Sequence, residues 1–238
     1  MLQGCLNGVR TDGVPLTAAE IAAEAARAVA AGAADLHVHP KDAAGRDTLD
    51  PDVVARVVTA VRAAVPAGVG VGVTTGAWAA PEVDARLAAI RAWRVRPDHA
   101  SVNWHEEGAE DVAAALLESG VGVEAGIWSR TDGAERFRRS ALAGRVLRVL
   151  AEVVDTDPAT AAASADALLA ILRPALPGSA SVLLHGEDGG AWPVLERAGR
   201  LGLDTRIGLE DTLLLPDGTA ASGNAALVRA ARAVPGIG

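Results

Sequence analysis

The residues that could do chemistry fall in two places far apart in the chain. His37 and His39 lie in Asp35-Leu36-His37-Val38-His39-Pro40, and Glu210 and Asp211 lie in Arg206-Ile207-Gly208-Leu209-Glu210-Asp211. In an extended strand, residues i and i+2 share a side, so the two imidazoles would converge on one point. Glu210 could complete a two-His-one-Glu set, which catalytic zinc sites use while keeping a position open. Asp211 could be a base, and Arg206 an anion clamp. Asp35 shares the parity of the histidines. It would either hold an imidazole N–H or pair with another interior polar group. The plainer alternative is a pair of hydrogen-bonded strand histidines with no metal between them, because HxH alone is a weak signal.

These residues need elements that bring them together. Short apolar runs lie near Leu2–Asn7, Ala34–His39, Val69–Val73, Ala100–Asn103, Val121–Ala125, Arg145–Val149, Ser181–His185 and Asp204–Ile207. Each is followed by an Ala-rich amphipathic segment, near Ala18–Ala31, Pro51–Ala64, Pro81–Ala92, Ala109–Glu118, Ala134–Ala141, Pro158–Leu172, Ala191–Leu201 and Gly223–Ala233. Thr17-Ala18-Ala19-Glu20 reads as a capping box. Pro51, Pro81 and Pro158 suit first helical positions, with Asp50 and Asp157 as N-caps. Alternation of this kind implies a parallel sheet. Eight such pairs in 238 residues imply an α/β chain forming one (β/α)8 TIM barrel, a single domain over 1–238. A doubly wound open sheet is the alternative, but no GxGxxG follows the first strand.

Active sites of such barrels sit at the C-terminal ends of the strands. Asn7 ends the first strand, His37 and His39 the second, and Thr74, Thr75 and Gly76 follow the third. Asn103, His105 and Glu106 close the fourth, Glu124 the fifth, and His185 and Glu187 the seventh. Trp78, Trp104, Trp128 and Trp192 fall in or beside these loops and are expected to wall a pocket; Trp93 falls inside a helical segment.

Composition narrows the partners. A net charge of −8 argues against nucleic acid or an anionic membrane surface. The single Cys5 has no internal disulfide partner, which suits a reducing compartment. No basic start with an apolar stretch opens the chain, and no apolar run is long enough to cross a bilayer. A cytoplasmic location is the expectation.

The segments GAADLHVHPKDAAGRDTLDPD, VTTGA and RIGLEDTLLLPDG, with PLTAAEIAAEAARAVAAGA before them, resemble the β-keto acid cleavage enzymes, the 3-keto-5-aminohexanoate cleavage family. The likeness covers nearly the whole chain in the same order, and RIGLED coupled to HxH is its specific part. It implies a zinc-containing (β/α)8 barrel, homo-oligomeric, in which an acyltransferase moves the acyl part of a small-molecule β-keto acid to CoA. Acetyl-CoA is the co-substrate and acetoacetate is released. His37, His39 and Glu210 would hold Zn2+. Asp211 would be the base, Arg206 would hold it and the substrate, Thr74 would meet the substrate carboxylate, and Glu124 would lie near the reacting centre. Thr75, Gly76, Asn103 and Glu106 are further substrate-binding candidates. Arg10 falls near a family position that can carry an acid for an amine-bearing substrate. A cation there implies an anionic or neutral tail, unless Arg10 lies on a solvated loop.

The chain departs from the family where CoA is concerned. The segment HASVNWHEEGAEDVAAALLESG lacks a longer Gly- and Asn-containing loop, and HGEDGG puts Glu187 and Asp188 where a phosphate would be repelled. Two other functions therefore stand beside the transferase. One is a metal-dependent hydrolase or lyase that needs no CoA. The other is a non-catalytic ligand-binding descendant.

Overall fold

The computed structural model describes residues 1–173, 176 and 181–237. The strands are β1 (Leu2–Cys5), β2 (Asp35–Val38), β3 (Gly70–Thr74), β4 (His99–Asn103), β5 (Gly122–Trp128), β6 (Arg148–Val153), β7 (Ser181–Gly186) and β8 (Thr205–Ile207). They pair in parallel in the order β7-β6-β5-β4-β3-β2-β1-β8. The remaining seam closes through a parallel bridge between Leu183 and Asp204, where Leu184 N–H donates to the Asp204 carbonyl at 2.9 Å. The expected (β/α)8 barrel is what the chain forms, and closure excludes the open sheet. No helix among the described residues is long and apolar enough to cross a membrane.

The helices are α1 (Ala18–Ala30), α2 (Pro51–Ala64), α3 (Val83–Ala92), α4 (Ala109–Glu118), α5 (Gly133–Arg139), α6 (Ala161–Leu172), α7 (Ala191–Leu201) and α8 (Asn224–Arg232). Alanine gives them strong helix propensity and a thin face that lies close on the sheet. The Thr17–Glu20 capping box forms in both directions, and Asp50 accepts from Asp52 and Val53 N–H ahead of Pro51. Two expected starts are corrected. α3 begins at Val83 rather than Pro81, and α6 at Ala161 rather than Pro158. At α6 the Asp157 carboxylate is taken by Ala159 N–H, so it caps a separate turn before the helix.

Two strand ends are also corrected. β5 runs on to Trp128 and β6 to Val153, beyond the expected Ala125 and Val149. Glu124 is therefore mid-strand, one layer below the rim, and Glu152 is carried up to it.

Barrels of this class usually fill their interiors with branched apolar side chains. This one places a ring of alternating charge there. His99 Nε2 lies 3.0 Å from Asp35 Oδ1, and His99 Nδ1 lies 3.1 Å from Glu124 Oε2, off-line for a hydrogen bond. Arg148 Nε donates to Glu124 Oε1 at 2.6 Å, and its guanidinium returns to Asp35 Oδ2 at 3.1 Å. The Gln3 amide donates to both carboxylates, at 2.8 and 3.0 Å. Burial would lower the His99 pKa, but Glu124 and Asp35 outweigh it and push the value up to about 10. Glu124 is held well below the usual carboxylate range: burial opposes this, and His99 and Arg148 prevail. Asp35 thus belongs to this ring. It holds His99 rather than His37 or His39, because it lies one layer below them.

The ring needs space. Gly72 faces His99 across the β3–β4 register, and a Cβ at Gly72 would sit 2.1 Å from His99 Cε1. Gly72→Ala should cost at least about 1–3 kcal/mol by overpacking. Gly144→Ala, where nothing lies within 4 Å, should stay within about 0.5 kcal/mol. Urea unfolding of the two variants checks this.

The ring also predicts an alkaline loss of stability. A folded pKa above the unfolded one means that His99 contributes fully below about 6.5. That contribution is lost as pH rises toward about 10. Stability should therefore fall between pH 7 and 9 in the native chain, and more shallowly in His99→Asn. Equal slopes in unfolding titrations would contradict the charged ring.

Candidate metal and substrate site

The two histidines leave the end of β2 toward the mouth of the barrel. Asn7, just past β1, pins the second one by its backbone: Asn7 Nδ2 donates to the His39 carbonyl and His39 N–H donates to Asn7 Oδ1, both at 2.9 Å. Glu210 and Asp211 come from a turn rather than a strand. Asp211 and Thr212 N–H both donate to the Gly208 carbonyl at 3.0 Å, so strand alternation ends and adjacent side chains face one side. Gly208 permits the turn to press on β1, since a Cβ there would lie 1.8 Å from the Cys5 carbonyl oxygen.

His37 Nε2 lies 3.8 Å from Glu210 Oε2, and His39 Nε2 lies 3.6 Å from Glu210 Oε1. Two donors each about 2.0–2.1 Å from a tetrahedral zinc ion stand about 3.4 Å apart, so a small inward adjustment suffices. Glu210 Oε2 is buried without a hydrogen-bond partner. A carboxylate that faces one imidazole nitrogen with each oxygen and leaves Oε2 without a donor fits a cation held among the three side chains. Among the described residues, His37, His39 and Glu210 form a group able to hold a metal ion.

Electrostatics divide the labour within the group. Burial above all lowers the His37 pKa to about 4, so it presents a free lone pair. Burial would lower His39 too, but Glu210 and Asp47 raise it to about 9. Burial would raise Glu210, yet Arg206, His39 and His37 hold it well below the usual carboxylate range. Arg206 donates to Glu210 Oε1 at 2.8 Å, to Asp211 Oδ1 at 2.9 and 3.1 Å, and to His185 Nδ1 at 3.1 Å. Asp211 Oδ2 is left buried and unpartnered.

These groups open into a cavity of about 490 Å³, within the usual range for small-molecule sites. Arg10, Thr74 and Asn103 line it with the metal group, Arg206 and Asp211. Thr74 Oγ1 accepts Gly76 N–H at 3.2 Å, which leaves its own proton free to donate. Asn103 is spent on its neighbours, donating to Glu106 at 2.9 Å and accepting the Trp128 indole N–H at 3.1 Å.

Other expected site residues do not reach the cavity. Glu124 is locked in the charge ring below. Thr75 turns its hydroxyl to the Ser101 carbonyl at 2.6 Å. Gly76 lies under the Trp78 ring. Glu106 braces the loops by accepting from Ala77 N–H, Arg86 and Asn103. Arg10 reaches the cavity but is paired with Asp188 at 2.9 Å, so it is no free cation. Of the expected tryptophan wall, Trp78 and Trp128 line the cavity. Trp104 is buried edge-on against Phe137, Trp192 donates to the Leu214 carbonyl, and Trp93 caps α3 with its indole on the Leu49 carbonyl.

Sequence reasoning missed Glu152 and Asp47. Glu152 lines the cavity with its carboxylate 3.3 Å from His185 Nε2. The i, i+2 series Arg148, Leu150, Glu152 was a signal for it, obscured by placing the strand end too early. Asp47 lies 2.7 Å from His39 Nδ1. Nothing in the loop sequence separates it from Asp42 or Asp50.

Among solved structures, the chain is similar to dihydrodipicolinate synthase from Agrobacterium tumefaciens. The identity is 17%, the TM-score 0.55, and 86% of this chain and 67% of that one are covered. It is also similar to N-acetylmannosamine-6-phosphate 2-epimerase from Clostridium perfringens, at 12% identity and TM-score 0.56, over 89% and 87% of the two chains. HMG-CoA lyase from Brucella melitensis matches at 17% identity and TM-score 0.51, over 94% and 85%. At such identities the likeness shows the barrel fold alone. No curated protein matches the chain by sequence. The family profile described as beta-keto acid cleavage enzyme matches residues 6–235, nearly the whole length. With HxH and GLED converging at the barrel mouth, the chain belongs to the β-keto acid cleavage enzyme family.

Proposed function

We propose that this enzyme uses zinc, held by His37, His39 and Glu210, to cleave a β-keto acid with acetyl-CoA as acyl acceptor, releasing acetoacetate and a new acyl-CoA. The carrying observation is the Glu210 carboxylate facing two imidazoles with its Oε2 unpartnered, and an unpartnered Asp211 Oδ2 on the next residue. A metal ion bound there supplies Lewis-acid stabilisation of the negative charge that develops on the keto oxygen.

The protein's own residues do the rest. Asp211 takes a proton from the carbon between the keto and carboxylate groups. Arg206 fixes its Oδ1 and leaves Oδ2 free to face substrate. Thr74 donates its hydroxyl to the substrate carboxylate. The carbanionic carbon then bonds to the acetyl carbonyl, expelling the CoA thiolate. The thiolate adds to the original keto carbon, and the carbon–carbon bond breaks to give acyl-CoA and the acetoacetate enolate. That enolate takes back the proton from Asp211.

A second reading is supported by the rim. Glu187 lines the cavity beside the Arg10–Asp188 pair, which leaves that edge with a net negative charge that would repel CoA phosphates. Cleavage without CoA would follow if that edge rejects the nucleotide.

The purified chain should carry about one zinc per protein, by elemental analysis. It should turn over a panel of β-keto acids only with acetyl-CoA; equal turnover without it selects the second reading. Asp211→Asn should keep the zinc and lose exchange of the α-protons into deuterated water, a drop of about 10²-fold or more. Undiminished exchange removes Asp211 from the role of base.

A further inference from the structure

Asp47 lies on the loop between β2 and α2, with its side chain 3% exposed. Both of its oxygens are engaged. Oδ2 is 2.7 Å from His39 Nδ1 and accepts the Trp78 indole N–H at 2.6 Å. Oδ1 accepts from the Lys41 ammonium at 2.5 Å, and that ammonium also donates to the Gly8 carbonyl at 2.6 Å. The Trp78 ring stacks over His39, with centroids 6.1 Å apart and planes 13° from parallel. His37 has no such support: its Nδ1 lacks a hydrogen-bond partner, and the Glu124 carboxylate is 3.9 Å away.

We propose that Asp47 is a positioning residue for the metal ligand His39, holding Nδ1 so that Nε2 faces Glu210, and that it locks the loops of Lys41 and Trp78 over the metal seat. The inference rests on reading His37, His39 and Glu210 as that seat. An imidazole can turn over about its ring axis and aim a carbon where a nitrogen is needed; a fixed Nδ1 partner forbids that. Three donors converge on Asp47, and only a carboxylate offers acceptors on both atoms. An amide would set N–H against N–H at one of them. Lys41 neutralises the carboxylate that this arrangement buries.

The test uses the full chain and zinc, titrated in competition with a chromophoric chelator. Asp47→Asn should raise the zinc Kd about 10- to 100-fold and alter the absorption bands of the cobalt-substituted protein, while the metal-free variant remains folded. Asp47→Glu should recover part of the affinity. Trp78→Phe keeps an aromatic ring over His39 but removes the indole donor, and should weaken zinc binding by less than Asp47→Asn does. Wild-type affinity and a wild-type cobalt spectrum in Asp47→Asn overturn the inference and leave the metal reading intact. If Asp47→Asn does not fold, the same wild-type behaviour in Trp78→Phe overturns it. A native chain that binds no zinc removes the metal reading and this inference together.

Discussion

Arg206 brings a guanidinium inside the barrel, 5% exposed, and meets Glu210, Asp211 and His185 there. Two adjacent carboxylates in a buried turn would repel each other and resist desolvation; a fixed cation between them makes both tolerable. Arg206 divides its bonds unequally, and the division has chemical consequences. One oxygen of each acid is held, and the other is left bare toward the cavity. Reactivity and stability thus come from the same contact. Lysine could not replace it, because a point charge on a flexible stem would not hold two acids in one planar arrangement.

The same rule extends downward. Beneath the site the interior carries Asp35, His99, Glu124, Arg148 and Gln3 instead of a fully apolar fill, and opposite charges alternate around the ring. Breaking one member of such a buried set leaves an uncompensated charge, which is costly even where the whole set adds little net stability. Its value to the site is mechanical. A layer of directional contacts gives His37, whose Nδ1 lies 3.9 Å from Glu124 Oε2, a floor with one arrangement beneath the candidate metal group.

Around the seat the two halves of the cavity differ. The β2 and β3 side supplies the imidazoles, Thr74 and the stacked Trp78. The β6 and β7 side supplies Glu152, His185, Glu187 and Asp188, and Arg10 is drawn into a pair with the last of these. A substrate chelated on the first side would extend toward an acid-rich second side. The charge that Arg10 carries in the sequence is therefore not the charge its surroundings present.

Much was determined by the sequence alone. The alternation of apolar runs and Ala-rich segments was sufficient for the barrel, and HxH at one strand end with GLED at another was sufficient to single out the candidate metal-binding group. The barrel inference rests on local periodicity, and the ligand set on the i, i+2 spacing of the histidines and the resemblance of RIGLED, all properties of short segments. The tertiary structure decided the rest. Strand length moved Glu124 down a layer and Glu152 up, because where a strand stops depends on its neighbours' hydrogen bonds. Charge pairing turned Asp35 toward His99 and Arg10 toward Asp188. Asp47 became the support of His39 only because loop closure brought it within hydrogen-bonding distance. Partners drawn from distant segments are chosen by the packed interior, where every buried charge must find an opposite one, and no local pattern records that choice.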